Sequence, residues 1–372
     1  MAIEIRTATT TNDREAIFRL RYEIYVEEIG YRYPHCDHSR RLLFDAGTRQ
    51  SRLLMALDEG IVVGTAKCDW GGEVEFTDEE QMVYDLGRFL PVVGPAGIGI
   101  FSRFMAAPSH RSGDVPIRLF DSVLHFLLEN HAALLFLDCR PHLINTYERL
   151  GFRTYARTYS DPMAGLLVPL VLVLDDREHL RRVGARWLSL FDAYPPDAAR
   201  LREVMAILPD YSPVHTVTSP ETGDQRKEIE LILSTEEPGG QISIFDNLDE
   251  ADVARLVAAS HIIECQPGDR IIAEHVTDQT VFLVLEGVVE VRKEGRVVAV
   301  LARGAVFGEI TFMLQGRRTA DVFAASADVR ILALRHKSLT QLIESESKVA
   351  ARFLLNFTRM LCVKLAGGWR HD

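Results

Sequence analysis

No run of about eighteen apolar residues occurs in this 372-residue chain, so nothing in it reads as a transmembrane helix. Positive charge is in deficit. Lys and Arg number 42 against 53 Asp and Glu, a net charge of −11, which argues against a nucleic-acid-binding surface. Cysteine is sparse and odd in number: Cys36, Cys68, Cys139, Cys265 and Cys362 show no Cys-x-x-Cys spacing, a pattern of reduced thiols and not of a disulfide framework or zinc site. His35, His38, His110 and His142 lack the His-x-x-x-His spacing that sets two ligands on one helical face, and no metal is expected. A basic, apolar leader is missing before Met1-Ala-Ile-Glu-Ile, so a cytoplasmic location is expected. Internal repeats and low-complexity tracts are also missing. The length suits two or three domains.

The most informative stretch runs from Ala305 to Ala324. Gly308-Glu309 follows an apolar strand pattern, and Arg318-Thr319-Ala320 comes nine residues later, before a second alternating run. A short helical turn there leaves backbone N–H groups for an anion, with a guanidinium closing the pocket. Glu309 would repel a phosphate and is better used to accept from a sugar hydroxyl. A cyclic nucleotide carries both groups close together. The competing reading is a Glu309–Arg318 ion pair at a strand end.

The surroundings bear on that choice. Phe245-Asp-Asn-Leu opening a helix, Pro267-Gly-Asp-Arg-Ile-Ile breaking into strands, and a strand pair Phe282–Val291 turning at Gly287 resemble the cyclic-nucleotide-binding domain over residues 241–366. That family's phosphate cassette reads Phe-Gly-Glu and then Arg-Thr-Ala or Arg-Ser-Ala. Both halves are present. The resemblance implies that Arg318 pairs with the cyclic phosphate, that Glu309 holds the ribose hydroxyl, and that Gly308, Ile310, Thr319 and Ala320 complete the cassette. It favours cAMP and leaves cGMP open.

The amino-terminal half opens with an alternating strand at Ile3–Ala8, then a helix to about Gly30 that Asn12 or Asp13 can cap, with Ile17, Leu20, Ile24 and Tyr25 on its apolar face. A polar loop spans Tyr31–Gln50. Arg52–Leu57 and Ile61–Cys68 form a hairpin through Asp58-Glu59-Gly60. After a loop with two prolines, Gly97–Pro108 reads as a core strand, Asp114 as the cap of a helix over 115–130, Ala133–Asp138 as a buried strand, Pro141–Leu150 as a helix ending at Gly151, and Leu166–Leu174 as a last strand. This order predicts an α/β sandwich on a mainly antiparallel sheet.

Tyr147-Glu-Arg-Leu-Gly151-Phe152 resembles the Tyr-x-x-x-Gly-Phe segment of the GNAT acyltransferases, which implies that Tyr147 is a general acid for the leaving thiolate; packing in the core is the alternative. The loop where that superfamily usually holds the diphosphate of coenzyme A departs from the pattern. It reads His110-Arg111-Ser112-Gly113-Asp114-Val115-Pro116, leaving Arg111 and Gly113 as the acyl-donor candidates, with an added charge at Asp114 and no N–H at Pro116. One branch of the fold takes acyl chains mainly from acyl carrier protein: the N-acyl amino acid and acyl-homoserine lactone synthases. Arg19–Glu28, the Tyr31–Gln50 loop and Phe101-Ser-Arg-Phe104 resemble it and imply that Arg21 and Arg103 serve catalysis; the alternative is that they are charge partners of Asp45, Glu27 or Asp69. Ile100 stands where that branch has an acidic residue, and Lys67 replaces a frequent arginine.

Residues 175–187 and 197–208 read as two short helices, and 209–240 as a polar linker with an apolar island at 229–233. After the nucleotide barrel come a short helix at 338–343 and a longer one at 347–366, whose Ala350, Leu354, Phe357 and Leu361 form a four-three-four seam for a twin, for the base, or for the core. A helix-turn-helix is not expected after it. The expected architecture is a GNAT-like α/β acyltransferase domain (1–176), a helical connector (177–240) and an all-β jelly-roll cyclic-nucleotide-binding domain with flanking helices (241–372). The expected activity is transfer of an acyl group from an acyl carrier protein or acyl-CoA thioester to an amine, under control of the nucleotide. Expected partners are the nucleotide, acyl carrier protein and a second copy through the last helix. A cAMP-regulated, acetyl-CoA-dependent protein lysine acetyltransferase and a non-catalytic nucleotide-responsive module are the alternatives.

Overall fold

The computed structural model of the chain describes residues 3–33, 36–44, 51–208, 214–216, 243–257 and 260–368. Its contacts divide the chain into two compact units, Met1–Arg157 with Val168–Ser212, and Thr158–Leu167 with Pro213–Asp372.

The first unit begins with β1 (Glu4–Thr7) and α1 (Thr11–Arg21). Its cap is Thr10, not Asn12 or Asp13. The Thr10 hydroxyl accepts from the Asp13 N–H and the Asp13 carboxylate from the Thr10 N–H, a reciprocal box that Arg6 braces at 2.7 Å. Beyond Arg21 the helix widens into a π-helical stretch, Tyr22–Ile29, which stops at left-handed Gly30. The described part of the polar loop pairs β2 (Cys36–Asp37) with β3 (Leu42–Leu43). The hairpin of β4 (Arg52–Asp58) and β5 (Ile61–Trp70) forms as expected, with Glu59 and Gly60 both at positive φ as a two-residue turn requires. The stretch expected as a proline-bearing loop holds two helices instead, α2 (Asp78–Val83) and α3 (Leu86–Val93). The overlooked signal is Thr77 with Glu80, a second capping box.

Next come β6 (Ile98–Ala106), α4 (Asp114–Glu129), β7 (Leu134–Cys139), α5 (Ile144–Glu148), β8 (Arg153–Thr154), β9 (Tyr159–Asp161) and β10 (Gly165–Val173). Asp114 is the first helical residue of α4 and not its cap; that position is Gly113, which has no side chain to bond. The sheet runs β1-β4-β5-β6-β7-β10-β8, with β9 on β10, and only β6 and β7 are parallel. α4 packs so closely on one face that a Cβ at Gly64 would stand 2.6 Å from Val115 Cγ1, and one at Gly99 would stand 2.8 Å from Leu127. On the other face Ile100 and Phe136 pack with Tyr84, Leu86 and Phe89 of the α2–α3 segment. Where two helices were expected after the sheet there are three: α6 (Arg177–Arg182), α7 (Leu188–Asp192) and α8 (Ala198–Ile207), all grouped with the first unit.

In the second unit, β11 (Val214–Thr216) lies inside the stretch expected to be linker and pairs with β12 (His261–Cys265); the rest of 209–240 falls outside the described residues. Residues 244–247 form a turn, and the helix expected to open there, α9, spans Glu250–Val257. The barrel continues through β13 (Arg270–Ile272), β14 (Thr280–Glu286), β15 (Val288–Lys293), β16 (Arg296–Ala302), β17 (Val306–Phe307), α10 (Glu309–Leu314), β18 (Asp321–Ala324) and β19 (Val329–Arg335), and ends in α11 (His336–Ser345) and α12 (Ser347–Gly368). Two sheets, β11-β12-β19-β14-β17 and β13-β18-β15-β16, make the expected jelly-roll. β14 and β15 were expected to pair across Gly287 but belong to different sheets. Gly287, at φ +79°, turns the chain from one to the other where a Cβ would meet Ser326 Oγ at 2.7 Å. On α12, Ala350 and Phe357 are buried in the unit's own core and Leu354 and Leu361 pack against it. That seam packs within its own unit.

Candidate functional sites

The nucleotide cassette assembles as one pocket. β17 delivers Phe307 to Gly308, whose left-handed φ of +80° turns the chain into α10. A Cβ at Gly308 would lie 2.6 Å from Arg318 Nη1, so the approach of backbone and guanidinium depends on glycine. Arg318 is 3 % exposed. Its Nη2 donates to Thr280 O at 2.6 Å and lies 3.2 Å from Asp278, and its Nη1 donates to Gly308 O at 3.0 Å. The alternative of a Glu309–Arg318 ion pair is not what forms: Glu309 faces Lys364 of α12 at 3.3 Å. The cavity measures about 340 Å³ and is lined by Gly308, Glu309, Ile310, Arg318, Thr319 and Ala320, with Ile272, Leu301, Val322 and Lys364 among the other walls. Every cassette residue singled out in the sequence is there. Lys364 was missed, because helix position alone does not show where the last turn lies.

The first unit holds a second candidate site. β6 pairs with β7 only from Ile98 to Ile100, although both strands continue. Past that point β6 stays with β5 and β7 stays with β10, so a wedge opens between the two parallel strands beyond their carboxyl ends of pairing, where open α/β sheets bind ligands. β6 also bulges there. Thr65 opposes Met105 but Lys67 opposes Ser102, which leaves Arg103 and Phe104 against Ala66 and sets Arg103 at φ +51°.

Side chains converge on this region. Arg103 Nη1 donates to Tyr33 Oη at 2.9 Å, and its guanidinium stands 5.5 Å from the Tyr25 and Tyr33 rings. Tyr25 stacks on Tyr31 at 5.4 Å, and Arg140 Nε donates to Tyr31 Oη at 3.1 Å. Tyr84 Oη donates to Asp138 at 2.5 Å. Tyr147 sits on α5, its ring 5.6 Å from Phe152. Burial pushes its hydroxyl far above the ordinary phenol value, helped by nearby Cys139, Asp138 and Tyr25, so it stays protonated at any physiological pH. Arg21 is fully buried beneath α1, its guanidinium 5.6 Å from the Phe18 ring. Of the acidic partners considered for the two arginines, Glu27 pairs with Arg41 and Asp69 with Lys67, while Asp45 lies outside the described residues. The tyrosine cluster and Asp138 were not singled out in the sequence, although Tyr22, Tyr25, Tyr31 and Tyr33 stand close together there and Asp138 lies near the end of a buried strand.

The acyl-donor candidates at α4 are less open. Arg111 is clamped by Glu28 at 2.5 and 2.6 Å and donates to Ala106 O. Gly113 heads the helix as its cap, with Asp114 and Pro116 in the first turn.

Comparison with known proteins bears on both units. Residues 16–174 match the family described as N-acyl amino acid synthase FeeM, and residues 262–346 the cyclic nucleotide-binding domain. The first region is thus similar to the N-acyl amino acid synthases, an N-acyltransferase family, and the second is a cyclic nucleotide-binding domain. Curated relatives match about a quarter of the chain. They include the potassium/sodium hyperpolarization-activated cyclic nucleotide-gated channel 4 of Homo sapiens, 33% identical over 101 residues that make 27% of this chain and 8% of the channel, and the cAMP-dependent protein kinase regulatory subunit of Mycosarcoma maydis, 28% identical over 27% of this chain and 21% of that protein. The chain thus spans under a quarter of the length of these relatives. Among solved structures, FeeM, an N-acyl amino acid synthase from uncultured soil microbes, aligns at 16% identity and a TM-score of 0.38 over 49% of this chain and 97% of that one. A cyclic nucleotide-binding domain from Methylobacillus flagellatus aligns at 20% identity and 0.36 over 42% and 86%. No helix among the described residues is long and apolar enough to cross a membrane.

Proposed function

We propose that the chain is a cyclic-nucleotide-regulated N-acyltransferase, with the transfer domain at 1–176 and the sensor at 241–372, that moves an acyl group from a thioester to an amine. The observation that supports the transfer half is the wedge between β6 and β7, with Arg103 on β6 just past the last paired residue and Tyr147, held protonated, on the helix that follows β7. A thioester carbonyl in the wedge is attacked by the amine, the nitrogen–carbon bond forms, the carbon–sulfur bond breaks, and Tyr147 supplies a proton to the departing thiolate. Arg103 and Arg21 are held as supports of that site. Acyl carrier protein is favoured over coenzyme A as the donor's handle, because the first turn of α4 offers a diphosphate Asp114, Pro116 and an Arg111 already held by Glu28.

The regulatory half rests on the intact cassette. The cyclic phosphate meets Arg318 and the backbone of Gly308, Ile310, Thr319 and Ala320, and the ribose hydroxyl meets Glu309; cAMP is the preferred ligand. The nucleotide acts by favouring one state of the unit, and moving a population from rare to dominant takes about 5.5 kcal/mol of preference. Charge-assisted bonds to one phosphate contribute a few kcal/mol towards it.

The test is calorimetric titration of the nucleotide-stripped protein with cAMP and with cGMP, beside Arg318→Ala. Micromolar or tighter binding that the variant loses is expected, followed by a change in acyl turnover when the bound nucleotide is added. Absence of binding to either nucleotide removes the regulatory reading. Absence of turnover across carrier-protein and coenzyme A thioesters removes the enzymatic one.

A further inference from the structure

Three charged side chains of the first unit take no part in the transfer outlined above. Lys67 and Asp69 stand on β5, 9 % and 3 % exposed, with Nζ 2.6 Å from Oδ2, and Glu80 of α2 lies 3.9 Å from the same ammonium. The residue opposite Asp69 is Ile100, part of the buried apolar cluster that includes Phe76 and Phe89. Apolar residues would fill such a place at no loss of stability, since desolvating charges is expensive. A chemical use is the better explanation.

Their place in the register supplies one. The Cα partner of Asp69 is Ile100, the last residue of β6 to pair with β7, and the partner of Lys67 is Ser102, two residues into the wedge. Side chains directly opposed in an antiparallel pair share a face, so both charges point to the side of the sheet away from α4, beside the point where the wedge opens. Asp69 Oδ2 has no hydrogen-bond partner among the described residues beyond its contact with the ammonium. An amine arrives at neutral pH as an ammonium and must lose a proton before it can attack, and Tyr147, held protonated, cannot take it.

We infer that Asp69 is the base that takes this proton from the acceptor, with Lys67 holding the carboxylate in place and anchoring an anionic group of the acceptor. The inference rests on the acyltransferase reading. The ammonium gives one proton to Asp69, which passes it to solvent; the free amine forms the nitrogen–carbon bond; the carbon–sulfur bond breaks; and the second nitrogen proton balances the one that the thiolate receives. Lys67 and Asp69 together match the opposed charges of a zwitterion, so an acceptor carrying a carboxylate next to its amine fits better than a bare amine.

The test uses the full chain with decanoyl-carrier protein and decanoyl-coenzyme A as donors and the twenty L-α-amino acids as acceptors, following thiol release. Asp69→Asn is expected to lower kcat/KM for the acceptor at pH 7 by about a hundredfold or more, with much of the loss regained as pH rises and free amine becomes abundant, while donor KM stays unchanged. Lys67→Met is expected to raise acceptor KM about tenfold, to spare amines lacking a carboxylate, and to be largely rescued by Lys67→Arg. Because removing one member of a buried pair threatens the fold, the double variant Lys67→Met/Asp69→Leu is measured too; it is expected to melt as a folded protein and to transfer nothing. Asp69→Asn with near wild-type rate and an unchanged pH profile overturns the inference and leaves the acyltransferase reading standing. A wild type that acylates none of the acceptors overturns both.

Discussion

Gly308 shows how much one residue can decide. It occupies a left-handed turn that other side chains rarely adopt, and a single added carbon would stand 2.6 Å from Arg318 Nη1. Gly308→Ala is therefore expected to displace the guanidinium and to weaken nucleotide binding by at least tenfold, about 1.4 kcal/mol, without unfolding the unit; titration with cAMP beside a thermal melt checks both halves. Tyr147 makes a different case. With its hydroxyl held protonated by burial, it contributes no titrating limb near neutrality, so Tyr147→Phe is expected to lower kcat by about a hundredfold at all pH values alike, leaving acceptor KM unchanged. A loss that is present at low pH and vanishes as pH rises would mean that the hydroxyl titrates and that the burial argument fails. The cassette was legible residue by residue because its members are consecutive and its chemistry follows from their order. Asp69 was not. Its significance lies in standing opposite Ile100, and cross-strand register through a bulge is not written in either strand alone.

Elements were legible where the local code is strong. The β4–β5 turn at Glu59-Gly60 and the stop at Gly151 follow from backbone preferences that act over a few residues. Misses came where tertiary packing overrides the pattern, as in α3, which carries Pro91 within it, or where the geometry is unusual, as in the π-helical continuation of α1, which offers Tyr22 and Tyr25 on a wider turn than an α-helix would. α12 is the element that bears on ligand binding. Its Lys364 bonds Val306 O and lies 3.3 Å from Glu309, the carboxylate proposed to receive the ribose hydroxyl. A partly exposed pair of this kind contributes at most about 1 kcal/mol. Lys364→Ala is accordingly expected to free Glu309 and to tighten nucleotide binding by no more than about fivefold; a weaker affinity instead would mean that the lysine contacts the ligand directly.

Among the described residues, two histidines are held neutral against their ordinary tendency, one in each unit. Burial, and then the charge of Arg335, lowers His261 to about 3, and burial with Arg153 lowers His179 to about 4, against about 6.5 in an unfolded chain. Between those values the unfolded state binds the protons that the native state refuses. Stability is therefore fully present above about pH 6.5 and falls as pH falls through that value towards 4 and 3, by at most about 1.4 kcal/mol per unit for each histidine. His179 is part-exposed and contributes less. His261 is 1 % exposed, and its Nε2 has no hydrogen-bond partner among the described residues, so the imidazole costs the fold a desolvated nitrogen and returns nothing in hydrogen bonding through that atom. His261→Leu is expected to be at least as stable as the native chain at pH 7 and to lose up to about 2 kcal/mol less on acidification to pH 5, read as urea midpoints at the two pH values. A variant that is destabilised at pH 7 and keeps the full acid sensitivity would show that packing around β12 needs the imidazole and that the acid response arises elsewhere.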